Sequence, residues 1–329
     1  MAVLITGGAG YIGGHVVSLL RERGDDVVVV DDLSTGIAER IDGVTLVTLD
    51  LAAEGSEEKL AKVMEERRID AVVHFAGRKQ VGESVERPTW YWTQNVGGLL
   101  TVVRAMESTG CRRIVFSSSA SVYGVSDAEL LAETAPTSAL SPYGRTKMVG
   151  EQILDDAAAA GTLDPMSLRY FNAAGAASPL LGDTFVQNLI PMVFERLDAG
   201  ESPRIFGDDY PTEDGTCVRD YVHVLDLARA HLLALDHLAG AGERRAAGAP
   251  PSPTVVNVGT GVGSSVREVL AEVRAVTGDP VEAEVTARRP GDPPRAVADV
   301  TLARDLLGFT AELGLHEMVD SAWKAWRAR

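Results

Sequence analysis

Tyr143 and Lys147 have the residue types and the spacing for proton transfer. Side chains four positions apart share one face of a helix, so the two can act together. A phenol titrates at about pH 10, which is too high for a base at neutral pH. Because a nearby ammonium stabilises the phenolate, we predict that Lys147 lowers the pKa of Tyr143. The same lysine can hydrogen-bond the ribose of a nicotinamide cofactor.

A serine run precedes this pair and ends at Ser119. It follows a predicted strand at 113–117, so the hydroxyl of Ser119 could hold a reacting oxygen and pass a proton to Tyr143. Pairs of the Tyr-x-x-x-Lys type are also common on surfaces, and serines often cap the local backbone. The position after the strand favours the catalytic interpretation over the structural one.

The glycines at 7, 10 and 13 lie between a predicted strand at 2–6 and a predicted helix at 11–23. Such glycines allow a tight turn, close approach of the backbone to a pyrophosphate, and close contact between helix and strand. The N-terminus of the helix then offers N–H groups to the anion. In this strand–turn–helix context the pattern predicts dinucleotide binding.

Acidic residues at the end of the second strand indicate which dinucleotide binds. Asp31 lies 18 residues after Gly13, near the spacing expected for the carboxylate that binds the adenosine ribose. A carboxylate there repels a 2′-phosphate, and no arginine follows immediately to neutralise one. We therefore predict NAD rather than NADP. Asp32 is either a second ribose ligand or a turn residue, and Asp50 is by itself only a polar residue at a strand end.

The elements that must position these residues alternate between strands and helices. Strands are predicted at 2–6, 26–31, 44–48, 70–75, 113–117 and 166–170, and helices at 11–23, 56–67, 90–109, 143–160, 186–199, 225–238, 264–277 and 300–307. Nearly continuous apolar runs such as 26–31 are typical of strands buried on both faces. The pattern predicts an α/β fold, a Rossmann-like doubly wound parallel sheet with a smaller C-terminal α/β substrate lobe.

The domain prediction divides the chain at residue 172. Residues 1–172 are expected to form an NAD-binding Rossmann domain with the catalytic Tyr and Lys, and residues 173–329 a nucleotide-sugar-binding lobe. Segments such as 220–260 are candidates for return to the first domain. The stretch 239–253 is low in complexity and is expected to be a solvated, mobile loop.

Composition excludes several classes of function. The 329 residues carry a net charge of −16, which disfavours nucleic acids and anionic membranes as partners. Two distant cysteines, Cys111 and Cys217, indicate neither a disulfide scaffold nor a zinc site. The chain opens directly on a strand-like segment, without the flanks of a signal peptide, and lacks a long apolar run, so we expect a cytoplasmic protein with no metal.

Longer strings resemble a known family over nearly the whole chain. They are GGAGYIGGH (7–15), HFAGRKQVGES (74–84), NVGGLL (95–100), FSSSASVYG (116–124), SPYGRTK (141–147), RYFNAAGA (169–176), NLIP (188–191), IFGDDYPTEDGTCVRDYVHVLDLA (205–228) and RRPGDPP (288–294). The chain is similar to extended short-chain dehydrogenases/reductases, and specifically resembles the UDP-glucose 4-epimerases. The stretch 205–228 is the most specific, since a simple reductase would not require it.

The resemblance implies an activity, a cofactor and a set of site residues. NAD takes hydride from C4 of UDP-glucose or UDP-galactose while Tyr143 takes the hydroxyl proton, and the 4-keto sugar turns before hydride returns to its other face. The implied catalytic residues are Ser119, Tyr143 and Lys147. The expected cofactor-binding residues are Gly7, Gly10, Tyr11, Ile12, Gly13, Asp31, Asp32, Leu33, Ser34, Asp50, Leu51, Phe75, Ala76, Gly77, Lys79, Asn95, Tyr143, Lys147 and Phe171. The expected substrate-binding residues are Ser119, Tyr143, Asn172, Asn188, Leu189, Ile205, Phe206, Arg219, Arg288, Asp292 and Ala296.

Two departures from the family pattern carry further expectations. The segment 176–187 differs from the best-known members and is shorter, which affects the surroundings of Asn188. Position 296 is Ala where some members have a tyrosine facing the sugar, so we also expect activity on N-acetylated UDP-hexosamines. The resemblance also implies a homodimer that pairs the helices near 90–109 and 143–160.

Three alternatives to epimerisation make different demands on the residues. Dehydratases of the family need an Asp-Glu pair after the position of Ser119, and Ala120-Ser121 cannot replace it. A decarboxylase acting on UDP-glucuronate would use a basic residue near the C5 carboxylate, for which Arg78 and Arg204 are candidates. A non-catalytic NAD-binding regulator is disfavoured because the chain keeps both Tyr143 and Lys147.

Overall fold

The computed structural model describes residues 1–247, 252, 254–289 and 291–329. The strands are β1 (Ala2–Thr6), β2 (Asp26–Asp31), β3 (Thr45–Thr48), β4 (Ala71–His74), β5 (Arg113–Ser117), β6 (Asp164–Tyr170), β7 (Asn172–Ala174), β8 (Arg204–Phe206), β9 (Val218–His223), β10 (Val255–Val258), β11 (Gly263–Ser265), β12 (Glu284–Thr286) and β13 (Arg295–Ala296). The α-helices are α1 (Tyr11–Arg23), α2 (Ser56–Arg67), α3 (Val81–Glu86), α4 (Pro88–Tyr91), α5 (Gly98–Thr109), α6 (Pro142–Ala159), α7 (Leu189–Asp198), α8 (Val224–Ala239), α9 (Ala241–Ala246), α10 (Val266–Thr277), α11 (Thr301–Leu307) and α12 (Leu315–Arg327).

A seven-stranded sheet carries the order β10-β6-β5-β4-β1-β2-β3. The pairs from β3 to β6 are parallel. The central strands are buried on both faces, which explains why β2 reads as a run of valines rather than as an alternating pattern. The strand order reverses between β1 and β4, where doubly wound folds bind their ligands beyond the carboxyl ends of the strands. The predicted fold class is confirmed.

The chain forms two compact units, of which the first comprises residues 1–122, 139–169 and 228–256. Its core lies between the sheet and helices such as α2 and α5 and includes Leu4, Val72, Leu99, Ile114 and Leu154, all 1% exposed or less. This packing fixes the carboxyl ends of β1, β2, β4 and β5, from which the predicted cofactor residues extend.

The second unit comprises residues 123–138, 170–227 and 257–329. Strand β9 is its centre: β11 pairs with it in antiparallel fashion, and β13 and β7 pair with it in parallel. Helices α7, α10 and α12 bury Ile190, Phe194, Val269 and Met318 in a common core. These boundaries are interleaved along the chain, and the functional division at residue 172 stays a prediction.

Two local predictions differ from the structure. The helix predicted at 90–109 consists of α4, a π-helical stretch at Trp92–Gly97, and α5. Part of the loop predicted at 239–253 is helix α9, while residues 248–251 and 253 lie outside the described residues. Helix α12 was not predicted. Within the part of the chain that the structure describes, no helix has the length and apolar character needed to cross a membrane.

Candidate active site

Helix α6 places the two residues of the proton-transfer pair on one face. Ser141 caps its N-terminus by accepting a hydrogen bond from the Gly144 amide at 3.1 Å, and Pro142 occupies the first helical position. A Cβ added at Gly144 would lie 2.7 Å from the carbonyl oxygen of Ser121, so the glycine lets the helix approach the loop after β5 closely. The first two turns of α6 therefore bring Tyr143 and Lys147 to that loop.

The side chain of Ser119 lies near enough to the phenol of Tyr143 to favour its ionised form. Ser121 donates its hydroxyl to the Ser119 oxygen at 2.9 Å, and its amide approaches the same oxygen at 3.2 Å. Because Ser119 accepts from Ser121, its own proton is available to the phenol oxygen. The structure thus brings Ser121, Ser119 and Tyr143 together in this order. Ser121 was not among the predicted site residues.

Burial raises the pKa of Tyr143, and the hydrogen bond from Ser119 opposes this shift. The prediction that Lys147 lowers this pKa is wrong for the chain by itself. Lys147 instead donates to the carbonyl oxygen of Ser117 at 2.7 Å and lies 4.9 Å from the centre of the Phe116 ring. Burial lowers the pKa of Lys147 to about 8, against the opposing charge of Glu151.

The buried ammonium gives the free energy of unfolding a pH dependence. Lys147 has a lowered pKa of about 8 in the folded chain and an ordinary value of 10.5. Between these values the unfolded chain holds the proton that the folded chain has lost, so stability rises with pH in that window. We expect Lys147→Met to be more stable than the parent at pH 7.5, with the difference shrinking by about 2 kcal/mol at pH 9.5. Urea unfolding of both proteins at the two pH values measures this; an unchanged difference would contradict it.

The glycine-rich turn between β1 and α1 has the form that a pyrophosphate needs. Gly7 has a φ of 72°, and a Cβ there would lie 2.7 Å from the Ala76 amide nitrogen. A Cβ at Gly13 would overlap the backbone of Gly7 and Gly8. The N-cap of α1 is Gly10, which has no side chain to bond the amides of the first turn. Tyr11 and Ile12 open the helix, and the residues present fit a dinucleotide.

Asp31 ends β2 and holds the turn in place. Its carboxylate accepts hydrogen bonds from the amides of Ala9, at 3.0 Å, and Leu33, at 2.9 Å. Burial raises the pKa of Asp31 despite these bonds. A carboxylate has further lone pairs, so Asp31 keeps acceptor capacity for a ribose. Leu33 has a left-handed φ of 56°, which turns the chain directly after β2.

An arginine lies beside Asp32, although none is near it in sequence. Arg78 follows β4 and donates to the Asp32 carboxylate at 2.7 Å, to Gln94 at 3.2 Å and to the hydroxyl of Ser34. The inference for NAD that rested on the lack of a neighbouring arginine was therefore incomplete. The separation of 46 residues between the two left no local signal for this pair.

Asn95 orients the loop that carries Arg78. Its amide accepts from the Arg78 backbone N–H at 2.7 Å and donates to the Arg78 carbonyl at 3.0 Å and to Thr146 at 2.9 Å. The side chain of Asn95 thus connects the backbone of Arg78 with Thr146 on helix α6. Its place in a π-helical stretch accords with the frequency of such stretches at functional sites.

Other predicted cofactor residues follow the ends of two strands, β4 and β3. Phe75 and Ala76 follow β4 and donate their amides to the carbonyl oxygen of Thr6 at 2.9 and 3.1 Å. Gly77 lies next to the Asn95 side chain, and Gly77 and Lys79 are exposed. After β3, Asp50 is exposed and holds a local turn, while Leu51 is buried in the core of the first unit.

In the second unit, three predicted substrate residues come together around β9. Arg219 pairs with Asp292, with 3.4 Å between Nη2 and Oδ1, and donates to the carbonyls of Val218 and Pro293. Ala296 on β13 lies opposite Arg219 in the strand register. The acidic residues near Arg219 in sequence are held elsewhere: Asp220 accepts from the amide of Thr260 at 2.8 Å and Asp226 from the amide of Glu312 at 2.9 Å.

Arg288 lies over the ring of Tyr210 at 4.1 Å and forms an ion pair with Asp209 at 2.6 Å. Phe206 ends β8, and the guanidinium of Arg289 lies 3.8 Å from its ring centre. Ile205 is 2% exposed and belongs to the core of the second unit, so its predicted place at a uracil has no support from its packing.

The remaining predicted residues lie at element ends of the second unit. Asn172 begins β7, directly after Phe171, and is paired in register with Tyr221. Asn188 is the N-cap residue of α7 and donates its amide to Asp183 at 2.6 Å, and Leu189 follows it. Asp183 belongs to the segment that departs from the family pattern, so this segment fixes the side chain of Asn188.

Residues 3–259 match the NAD dependent epimerase/dehydratase family. The chain belongs to this family. It is 44% identical to a UDP-glucose 4-epimerase of Azospirillum brasilense, over 97% of this chain and 88% of the relative. A crystal structure of a UDP-glucose 4-epimerase from Stenotrophomonas maltophila, with bound NAD and formylated UDP-arabinopyranose, has a TM-score of 0.93 and 42% identity, covering 100% of this chain and 98% of that one. The enzyme from Bifidobacterium longum in complex with NAD⁺ and UDP has a TM-score of 0.88 and 37% identity over 100% and 98%.

The family resemblance and NAD as the cofactor are thereby confirmed. The decarboxylase alternative loses its structural basis. Arg78 is held by Asp32, and the exposed Arg204 forms a 3.9 Å ion pair with Glu284. Among the described residues, no group of three or more His, Cys, Asp or Glu side chains could hold a metal ion.

Proposed function

We propose that the chain interconverts UDP-glucose and UDP-galactose by NAD-dependent inversion at C4. The series Ser121–Ser119–Tyr143 carries this proposal, on a chain that also has the dinucleotide turn at residues 7–13. It provides a proton acceptor for the C4 hydroxyl and a donor that holds the same oxygen. Both are needed to form a ketone and to reduce it again.

Each residue of the pair has a defined part in the reaction. Tyr143 takes the C4 hydroxyl proton as the 4-keto sugar forms and returns it when the hydroxyl is restored. Ser119 donates to the sugar oxygen or to the phenol and keeps the proton within the series. NAD, when bound, supplies the hydride acceptor and gives the hydride back. Burial alone disfavours the phenolate form of Tyr143, and the positive charge of a bound oxidised nicotinamide would favour it.

Lys147 and Asn95 keep the reacting groups in place. Lys147 is anchored to the end of β5 through the carbonyl oxygen of Ser117, two residues before Ser119. Asn95 ties the loop after β4 to helix α6 through Thr146. The chain thus holds Tyr143 and Ser119 on rigid elements, which is required for a proton to move between them without rearrangement.

Arg219, Arg288 and Asp292 are the residues that we assign to the nucleotide. Arginine binds diphosphates well because its fork of donors matches pairs of phosphate oxygens. Arg219 is half-buried with its backbone partners fixed, which supports a preorganised contact, whereas Arg288 is more exposed and paired with Asp209. Asp292 is assigned to the uridine ribose.

Incubation with UDP-galactose, without added reductant or oxidant, tests the activity. We expect UDP-glucose to accumulate until a fixed ratio is reached from either sugar, with no net change in NAD. A decarboxylase would release carbon dioxide from UDP-glucuronate instead, and a regulator would release NAD on denaturation without converting any sugar. Either of those results would overturn the proposal.

The small side chain at position 296 leads us to propose activity on UDP-N-acetylhexosamines as well. Ala296 is half-buried on β13, in register with Arg219, and leaves room that a tyrosine would fill. We expect Ala296→Tyr to lower kcat/KM for UDP-N-acetylglucosamine at least about tenfold, since an acetamido group clashes with added bulk. The value for UDP-galactose should change by less than about threefold. Parallel assays of both sugars with the parent and the variant measure the ratio, and no turnover of the N-acetylated sugar by the parent would reject the idea.

We further propose that the enzyme works in the cytoplasm as a homodimer. Two buried free cysteines accord with a reducing compartment. The dimer rests on the resemblance, which implies pairing through the helices near 90–109 and 143–160. Sedimentation at micromolar concentration tests it, with a single species of one-chain mass as the contrary result.

A further inference from the structure

Arg78 is held on all sides beside the residues that follow β2. Its Nη2 donates to Asp32 at 2.7 Å and to Gln94 at 3.2 Å, and its Nη1 donates to the hydroxyl of Ser34. Its guanidinium also lies 5.0 Å from the centre of the Trp90 ring. Asn95 fixes its backbone, so neither the main chain nor the side chain is free to leave.

Asp32 completes a closed triangle with Arg78 and Ser34. One of its carboxylate oxygens accepts from the amide and the hydroxyl of Ser34, at 2.9 and 2.6 Å, and the other accepts from Arg78. Burial works against ionisation of Asp32, but the bonds from Ser34 and the charge of Arg78 outweigh it and lower the pKa. At neutral pH the pair is therefore ionic, and the positive charge of Arg78 is compensated.

The triangle of Asp32, Arg78 and Ser34 lies where the 2′ position of the adenosine ribose of the cofactor is expected. In doubly wound folds the residues at the carboxyl end of the second strand meet the adenosine ribose. NADP differs from NAD only by a phosphate at the 2′ position of that ribose, and an arginine nearby is the usual means of accepting it. This chain has such an arginine in Arg78, and Ser34 adds a hydroxyl and an amide. All three groups already donate hydrogen bonds to the carboxylate of Asp32.

We propose that the Asp32–Arg78 ion pair determines the selectivity between NAD and NADP. With Asp32 present, its negative charge repels a 2′-phosphate and engages the cation that would attract one. Without that charge, Arg78 and Ser34 together form a phosphate site. Arg78 is thus a specificity residue, which the sequence concealed because the pair spans two strand ends.

An exchange experiment on the purified protein tests this without reference to sugar turnover. Each protein is incubated with an equimolar excess of NAD and NADP, freed of unbound nucleotide and denatured, and the released dinucleotides are separated and quantified. Ratios approached from NAD-loaded and from NADP-loaded protein must agree, which establishes equilibrium. Because no UDP-sugar is involved, a failure here is distinguishable from a failure of the proposed epimerase activity.

The variant Asp32→Asn removes the charge but keeps an acceptor for Ser34. We expect it to raise the NADP:NAD ratio at least about tenfold over the parent, since charge-assisted bonds to a phosphate are strong. In Asp32→Asn with Arg78→Leu the gain should disappear, and Arg78→Leu alone should show none. The gain should also shrink as salt rises from 0.05 to 0.5 M.

Two results would overturn the proposal: a change under threefold in Asp32→Asn, or an equal gain with and without Arg78. Far-UV circular dichroism and total bound dinucleotide establish that each variant is folded. Should Asp32→Asn fail this criterion, Asp32→Ser removes the same charge with a smaller side chain, and the same two results apply to it.

Discussion

Replacing Tyr143 by Phe is expected to lower kcat for UDP-galactose by about 10³-fold while NAD stays bound. The variant keeps the ring, and so its packing on helix α6, but it lacks the oxygen that Ser119 contacts. The C4 hydroxyl then has no positioned acceptor for its proton. A proton transfer by a positioned group contributes about 10² to 10⁴ to rate, which sets the size of the loss. Initial rates at saturating substrate, with NAD quantified after denaturation, measure both halves of the prediction.

Tyr123→Phe is a matched control for this experiment. Tyr123 is also buried, and its hydroxyl donates to Asn257 at 2.7 Å, but it is not among the residues assigned to the chemistry. We expect it to lose stability, because Asn257 loses a partner, and to keep kcat within about threefold. The interpretation of Tyr143 as the proton acceptor fails if Tyr143→Phe keeps more than a tenth of the parental kcat, or if the control loses as much.

Most of the first unit was predictable because its signals are local. A run such as Val27–Val30 is buried on both faces, so apolar residues fill every position and the strand can be read directly. The turn at Gly7–Gly13 was identified because backbone conformation and close approach restrict those positions to glycine. Tyr143 and Lys147 were paired because a helix brings positions four apart together.

Contacts between distant segments left no such signal. Arg78 meets Asp32 across 46 residues, and Arg219 meets Asp292 rather than either of its near neighbours in sequence. The sign of the pKa shift of Tyr143 was also beyond sequence reasoning. The sign depends on how much water the fold removes from the phenol, and here the loss of water raises the pKa more than Ser119 lowers it.

Helix α12 was predictable although no prediction covered it. Met318, Val319 and Ala325 recur at helical spacing and are its buried residues. Helix α9 was predicted as part of a loop because it lacks the buried apolar residues that mark α12. Its six residues Ala241–Ala246 include no buried side chain, so polarity and low complexity resembled a loop while local alanine and arginine propensity formed a helical turn.

Replacing Glu151 by Ala is expected to lower the free energy of unfolding by about 3 to 5 kcal/mol. Glu151 lies two turns after Tyr143 on α6 and is 4% exposed. It accepts two bonds from the fork of Arg169, at 2.8 and 2.6 Å, and one from the Ser118 hydroxyl at 2.5 Å. Arg169 is itself 5% exposed, so the variant removes a carboxylate from beside a buried cation. Removing one charge of a buried ion pair costs far more than the hydrogen bonds that are lost.

Urea unfolding of the parent and two companion variants separates this effect from simple loss of volume. Glu66→Ala breaks an ion pair with Lys62 whose side chains are 61% and 75% exposed, and it should change stability by less than about 1 kcal/mol. The double variant Glu151→Leu with Arg169→Met removes both charges and should recover most of the loss. If the double variant were as unstable as Glu151→Ala, the lost stability would come from packing rather than from removing one charge of the pair.

Glu151 also opposes the lowering of the Lys147 pKa, so Glu151→Ala should move the alkaline limit of activity to lower pH. That shift would connect the buried ion pair to the proton-transfer site two turns away, which a purely structural role would leave unchanged.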